Sequence, residues 1–326
     1  MNPSGPVILT GASGFIGGRL RDALLERGVD VVALRRASSP EPPRGRSAPV
    51  DYADPSTLEA VIRAERPSHI FHVAGATKGV SYDDFARANV MPTRSLLEGL
   101  QAAEHALERF VLVSSLAAWG PSSPDRPHRE EDPAQPVEHY GRSKLEAEEV
   151  LVASDVPYTI LRPGGVYGPG DVDYFNLFKT AHGGFNVFLG NRARWMSVVF
   201  VDDLVDLTLM ASTAERAQNQ AYFVTDGAPV TWEAFQELVV EAAGRKVRDI
   251  DLPGFLVDVA AFGGELVSRL DGKPRLANRQ KNTMNKQSAW TAGIDRAQAE
   301  LGFSPAVSQA EGVPLTMAWY REHGWL

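Results

Sequence analysis

The chain of 326 residues contains no cysteine. It therefore forms no disulfide, offers no thiolate for a zinc or iron–sulfur site, and has no cysteine nucleophile. It also lacks any apolar run near the ~20 residues that cross a bilayer, so no membrane span is expected. Met1 to Pro6 carries neither a charged n-region nor an apolar h-region. Together with the missing cysteines, this predicts an unexported, cytoplasmic protein. Positive charge is in deficit, with 33 Lys and Arg against 41 Asp and Glu and a net charge of −8. A phosphate-backbone binder needs clustered positive charge, so no nucleic-acid partner is expected. The seven histidines join no acidic residues at metal-ligand spacing, and no metal is expected.

What is present is an alternation of short β-branched runs with amphipathic helical patterns, the mark of parallel strands joined by crossover helices. Strands are predicted at Val7 to Thr10, Val29 to Leu34, Ala48 to Asp51, Ile70 to Ala74, Phe110 to Ser114 and Tyr158 to Arg162. Between them fall helices after Gly14, from Pro55 to Glu65, from Tyr82 to Ala103 and from Val137 to Ala153, with Gly28 placed to stop the first. The fold class is α/β, a doubly wound parallel sheet of Rossmann type with a smaller C-terminal substrate lobe. Residues 1–162 form the predicted nucleotide-binding domain and 163–326 mainly the lobe, with 198–225 returning to the first. From Pro253 an apolar stripe through Phe255, Leu256, Val259, Phe262, Leu266, Val267 and Leu270 has helical spacing. It reads as a core-facing helix, the alternatives being a lid over an apolar substrate or a membrane-surface contact.

Between the first strand and first helix lies Thr10-Gly11-Ala12-Ser13-Gly14-Phe15-Ile16-Gly17. The tight turn needs a residue without Cβ, a pyrophosphate needs close approach to N–H groups at a positive helix end, and the last glycine lets helix and strand pack. Arg35 and Arg36 end the second strand, where an acid would suit the ribose 2′-hydroxyl of NAD and a cation suits a 2′-phosphate. NADP(H) is thus favoured, with NAD(H) still open; otherwise the arginines merely solvate a loop start. Asp51 either accepts from the adenine amino group or caps the helix at Pro55.

Tyr140 and Lys144 are four residues apart, on one face of a predicted helix. An ammonium near a phenol favours phenolate and a positively charged nicotinamide adds to that, so the tyrosine pKa is expected to fall and the phenol to exchange a proton with a substrate oxygen. Without the glycine loop, the pair would read as a surface contact. Ser114 and Ser115 end the fifth strand at the sheet's carboxyl edge and either hold a carbonyl oxygen or cap the strand. Thr77 and Lys78 follow the fourth strand and are candidate substrate contacts. Tyr167, Asn176 and Trp195 are the lobe's candidates, among aromatics that enclose a non-polar substrate or fill the core.

These residues resemble the extended short-chain dehydrogenase/reductase family along nearly the whole chain. Thr10 to Gly17 is similar to its glycine loop, Phe71-His72-Val73-Ala74-Gly75 to its fourth-strand motif, and Asn89-Val90 with Thr93 to its helix motif. Val113-Ser114-Ser115 with Trp119-Gly120, the pair Tyr140 and Lys144, Arg162-Pro163, Val166-Tyr167-Gly168-Pro169 and Phe200 to Leu204 complete the likeness. The resemblance implies that Tyr140 is the proton donor or acceptor, that Lys144 tunes it and binds the nicotinamide ribose, and that Ser115 orients the substrate oxygen. It places Ala74, Gly75, Asn89, Ser114, Pro163 and Val166 at the cofactor and Trp119 at the substrate wall. It also implies a homodimer through the helices at Tyr82 to Ala103 and Val137 to Ala153. Leu116-Ala117 replaces the Asp-Glu pair of the family's dehydratases, which argues against water elimination. The hydroxysteroid-dehydrogenase-like and dihydroflavonol-reductase-like branch is the nearest in character. The expected function is reversible reduction of a ketone or aldehyde on a mostly apolar small molecule, the alternative being a nucleotide-sugar epimerase with tightly bound NAD.

Overall fold

The structure is a computed structural model that describes residues 2–189, 191–252 and 283–326. In chain order the first half runs β1 Val7–Thr10, α1 Phe15–Glu26, β2 Val31–Arg35, β3 Arg46–Pro49, α2 Pro55–Glu65, β4 His69–His72, α3 Tyr82–Phe85, α4 Met91–Ala102, β5 Arg109–Val113, α5 His139–Val152 and β6 Tyr158–Pro163. It continues through β7 Gly165–Tyr167, α6 Phe175–His182, β8 Phe185–Leu189, β9 Trp195–Met196, β10 Val198–Phe200, α7 Val201–Thr213 and β11 Gln220–Val224. The described remainder holds β12 Val230–Thr231, α8 Trp232–Ala243, β13 Arg248–Leu252, β14 Ala289–Trp290, α9 Asp295–Leu301 and α10 Gln309–Glu322.

Seven parallel strands form the main sheet in the order β11-β6-β5-β4-β1-β2-β3. Side chains alternate between its faces, so neighbours in one strand enter different cores. Val7 and Leu9 pack with Leu20 and Leu24 of α1 and Leu204 and Leu207 of α7. Ile8, Ile70 and Phe110 pack on the other face with Leu58 and Ile62 of α2, Leu96 of α4 and Leu151 of α5. Burying a large apolar side chain contributes roughly 1.5–3 kcal/mol. A third core, built from Tyr167, Phe178, Phe200, Phe235, Met317 and Tyr320, belongs to the later elements.

Local signals explain most element ends. Pro55 opens α2, and Asp54 accepts from the Ser56 N–H at 3.1 Å as its cap. Gly28, at φ +77°, ends the turn after α1, and the Val29 N–H returns to the Leu24 carbonyl at 3.1 Å. That bond commits Val29 to closing the helix, so β2 starts two residues later than its apolar run. The third strand also shifts, to Arg46–Pro49, because the ladder pairs Val32 with Arg46 and Arg35 with Pro49. The predicted helix from Tyr82 to Ala103 is interrupted by a π turn at Ala86–Val90. Pro92 lacks the N–H that would bond the Ala88 carbonyl, which favours widening just ahead of it. The expected return of Val198 to Ala211 is divided: β10 pairs with β7 in a separate two-stranded ladder, while α7 packs under the main sheet. The predicted helix from Pro253 lies outside the described residues.

Candidate active site

A cavity of about 900 Å³ runs along the carboxyl ends of the central strands, from the glycine loop to the loop before α6. Gly11, Ser13, Gly14, Phe15, Ile16 and Gly17 all line it. Gly11 has φ +75°, and a Cβ there would come within 2.9 Å of the Ala74 nitrogen. A Cβ on Gly17 would lie 2.2 Å from the Gly11 oxygen, so the turn and helix close only without one. Helix α1 begins with no side-chain cap and no acid in its first turn, which leaves its positive end to an anion. The cradle thus fits a dinucleotide pyrophosphate. The Thr10 hydroxyl ties β1 to β4: it accepts from the Val73 and Ala74 N–H groups at 3.1 and 3.0 Å and donates to His72 Nδ1 at 2.7 Å. Burial keeps His72 neutral by pushing its pKa down to about 3, which suits that acceptor role.

Arg35, Arg36 and Asp51 lie together at one end of the cavity, with Ser39, Tyr52 and Ala53. Arg35 is already engaged by Glu41 at 2.8 Å and by the Ser39 carbonyl at 3.2 Å. Arg36 is exposed, its carbonyl accepts from the Ser39 N–H at 2.9 Å, and its guanidinium makes no hydrogen bond or ion pair to a described residue. Asp51 accepts from the Ala53 N–H at 2.9 Å, and the cap of α2 is Asp54 instead.

At the other end Ser115, Tyr140, Lys144, Pro163 and Val166 share the lining with Ala74 and Gly75. Helix α5 presents Tyr140 and Lys144 one turn apart. Its buried cap, Glu138, accepts from the Tyr140 and Gly141 N–H groups at 2.6 and 2.5 Å. The Lys144 ammonium donates to the Val113 carbonyl at 2.7 Å, fixing α5 to the end of β5. Desolvation pushes Tyr140 up to about 12, opposed by a hydrogen bond from Ser115 and reinforced by the charges of Glu138 and Asp173. Burial also pushes Lys144 down to about 8, opposed by Glu148. The protein's own groups therefore do not lower the phenol pKa, because desolvation outweighs the Ser115 hydrogen bond.

Ser114 lines the cavity, yet its hydroxyl points back and donates to Glu148. Asn89 stays behind the lining. Its amide holds both polar groups of Ala76, at 2.7 and 3.2 Å, and donates to Ser143 at 2.8 Å. The π turn carries Asn89, and this is how it sets the loop after β4. Thr77 faces the cavity, and Lys78 bridges to Asp173 at 2.9 Å across two loops. Lys78 and four more residues expected at the substrate lie outside the lining. Trp119 is buried under the Arg162 guanidinium at 3.4 Å, with its indole N–H on the Asp132 carbonyl. Tyr167 fills the third core beside Phe200 and Phe235, Asn176 is exposed on α6, and Trp195 sits half-buried in the β9 ladder. The far end is lined by Tyr174, one of the lobe aromatics, and by Asp171, Val172, Asp173 and Met284, which the sequence reading missed. Asp171 and Asp173 follow Pro169-Gly170 within one loop, the kind of segment that carries contacts at a sheet edge.

The fold is that of nucleotide-dependent oxidoreductases, and the paired tyrosine and lysine narrow the class. Residues 7–224 match the NAD dependent epimerase/dehydratase family, and the chain belongs to it. It is an NAD(P)-dependent enzyme of the extended short-chain dehydrogenase/reductase type. The chain is 29% identical over 327 residues to a ceramide reductase of Caulobacter vibrioides, covering 99% of this chain and 96% of that protein. It is 29% identical over 262 residues to dTDP-6-deoxy-L-talose 4-dehydrogenase (NAD(P)(+)) of Kitasatospora kifunensis, covering 76% and 82%. UDP-glucose 4-epimerase of Thermotoga maritima, solved with UDP-glucose, superposes with a TM-score of 0.79 at 22% identity, covering 98% and 99%.

Proposed function

We propose that the chain is an NADP(H)-dependent oxidoreductase that interconverts a ketone or aldehyde and an alcohol on a mostly apolar small molecule. The observation that carries this reading is Arg36, an exposed cation without an ion-pair partner among the described residues, at the cavity end where β2 offers no acid. A free guanidinium there suits a 2′-phosphate, and an acid would suit a bare ribose. The glycine loop holds the pyrophosphate, and Ala74, Gly75, Lys144, Pro163 and Val166 hold the nicotinamide end. Bound nicotinamide supplies or accepts hydride. Tyr140 gives its proton to the carbonyl oxygen in reduction and takes one from the alcohol in oxidation, with Ser115 orienting that oxygen. Lys144 helps hold the ribose, and the positive charge of a bound oxidised nicotinamide would favour ionised Tyr140. Val172, Tyr174 and Met284 supply apolar surface at the far end, beside Asp171 and Asp173, and Leu116-Ala117 offers no second acid for dehydration.

The test is to denature the purified protein, identify any released nucleotide by mass, and titrate the emptied protein with NADPH and NADH. Little retained nucleotide and tighter NADPH binding are expected. Stoichiometric NAD would overturn the reading in favour of an epimerase that recycles its cofactor. We further infer a cytoplasmic homodimer joined through α4 and α5, which lie side by side. Sedimentation velocity returning a 35.4 kDa monomer would remove the dimer.

A further inference from the structure

Glu148 stands one turn beyond Lys144 on α5 and is 2% exposed. A buried carboxylate is costly unless it is paired and hydrogen-bonded, and Arg162 of β6 meets it with three contacts. Nε reaches Oε1 at 3.2 Å and Oε2 at 3.0 Å, and Nη2 reaches Oε2 at 2.7 Å. The same carboxylate accepts from the Ser114 hydroxyl. Arg162 is pinned in turn, since its guanidinium lies 3.4 Å over the Trp119 ring. Buried ion pairs add little stability over packed apolar groups. This one touches a cavity-lining strand end and stands beside the charge of the site.

We propose that Glu148 is a positioning residue: clamped by Arg162, it turns the Ser114 hydroxyl away from the cavity and sets its negative charge one turn from the Lys144 ammonium. The role rests on the Tyr140–Lys144 chemistry proposed above. Ser114 then meets the cofactor without its hydroxyl, and Ser115 is left as the hydroxyl that orients the substrate oxygen. The groups around Lys144 are Tyr140 and Glu148 on its own helix, His72 from β4, the Val113 carbonyl from β5 and the Asn89 side chain near Gly75. Arg162 stands behind Glu148. His72 is neutral, and the carboxylate that supports the charged lysine is Glu148.

Protein carrying ¹³C at the lysine Cε positions, titrated by NMR without substrate and assigned with Lys144→Met, reads this directly. Lys144 should titrate near 8 in the wild type. In Glu148→Gln the midpoint should fall by about one unit, the size of a lost neighbouring charge. Should Glu148→Gln not fold with Arg162 left unpaired, the charge-balanced Glu148→Gln, Arg162→Met protein carries the test and should show a smaller shift in the same downward direction, since the cation of Arg162 is removed as well. An unchanged midpoint in the folded variant overturns the proposal. In turnover assays the basic limb of kcat/KM against pH should move down by the same amount, a change that a merely structural role would not cause. If Tyr140→Phe leaves turnover intact, the underlying chemistry fails, while the NMR shift still reports on Glu148. If turnover depends on Tyr140 and the NMR midpoint does not move, only the role of Glu148 fails.

Discussion

Two arginines adjacent in sequence are not equivalent in space. Arg35 already spends donors on Glu41, Ser39 and Ser47, whereas Arg36 makes no such bond to a described residue. Replacing Arg36 with Ala should therefore weaken NADPH by about 1.5–3 kcal/mol, the range for a charge-assisted bond, and leave NADH nearly unchanged. Arg35→Ala should cost less. Titration of both variants with both cofactors checks this, and equal losses for NADPH and NADH would remove the assignment of the 2′-phosphate end. The residue scale also shows what spacing can and cannot reveal. Tyr140 and Lys144 were legible because a helix converts a separation of four into a shared face. Trp119 was not: the cation of Arg162 and the Asp132 carbonyl, distant in sequence, turn it into the core. Tyr167 is another case, an aromatic within the expected motif whose ring is claimed by Phe200 and Phe235.

Elements carry those residues to one edge, and the contacts between elements are close. Helix α5 approaches the turn after Ser115 so tightly that a Cβ on Gly141 would lie 2.1 Å from the Ala117 oxygen. Gly141→Ala must push Tyr140 away from Ser115. Overpacking of this kind costs about 1–3 kcal/mol, so urea denaturation should show that loss and turnover should fall with it; a fully stable, fully active variant would contradict the packing. Element type was readable wherever period and punctuation agreed, as at β1 and α2. It was less readable where hydrogen bonds decide: the β2 start given up to the α1 cap, the edge register of β3, and the π turn before Pro92. Beyond Pro163 the described strands other than β11 are two to five residues long and pair in small ladders. Such pieces are too short for periodicity to separate them from loops.

At the scale of the molecule, the sheet brings residues from β2, β5, β6, α1 and α5, and from the loops after β1 and β4, to one cavity, and the loop before α6 closes its far end. Folding also couples to pH through His72. Its folded pKa of about 3 lies below the ordinary value of 6.5, so the unfolded chain takes up the proton first. This residue's contribution is unchanged above about 6.5, and stability is lost as pH falls from there toward 3. His72→Gln should show a shallower loss over that window in urea titrations, and a slope equal to the wild type would contradict it. The central claim is that Tyr140 moves the proton in a nicotinamide-dependent redox reaction. It is tested most directly by Tyr140→Phe, assayed with NADPH and a carbonyl compound that the wild type reduces, beside a measured NADPH dissociation constant. Turnover should fall by a factor on the order of 10² to 10⁴, with cofactor affinity nearly unchanged. Wild-type turnover in that variant would contradict the account.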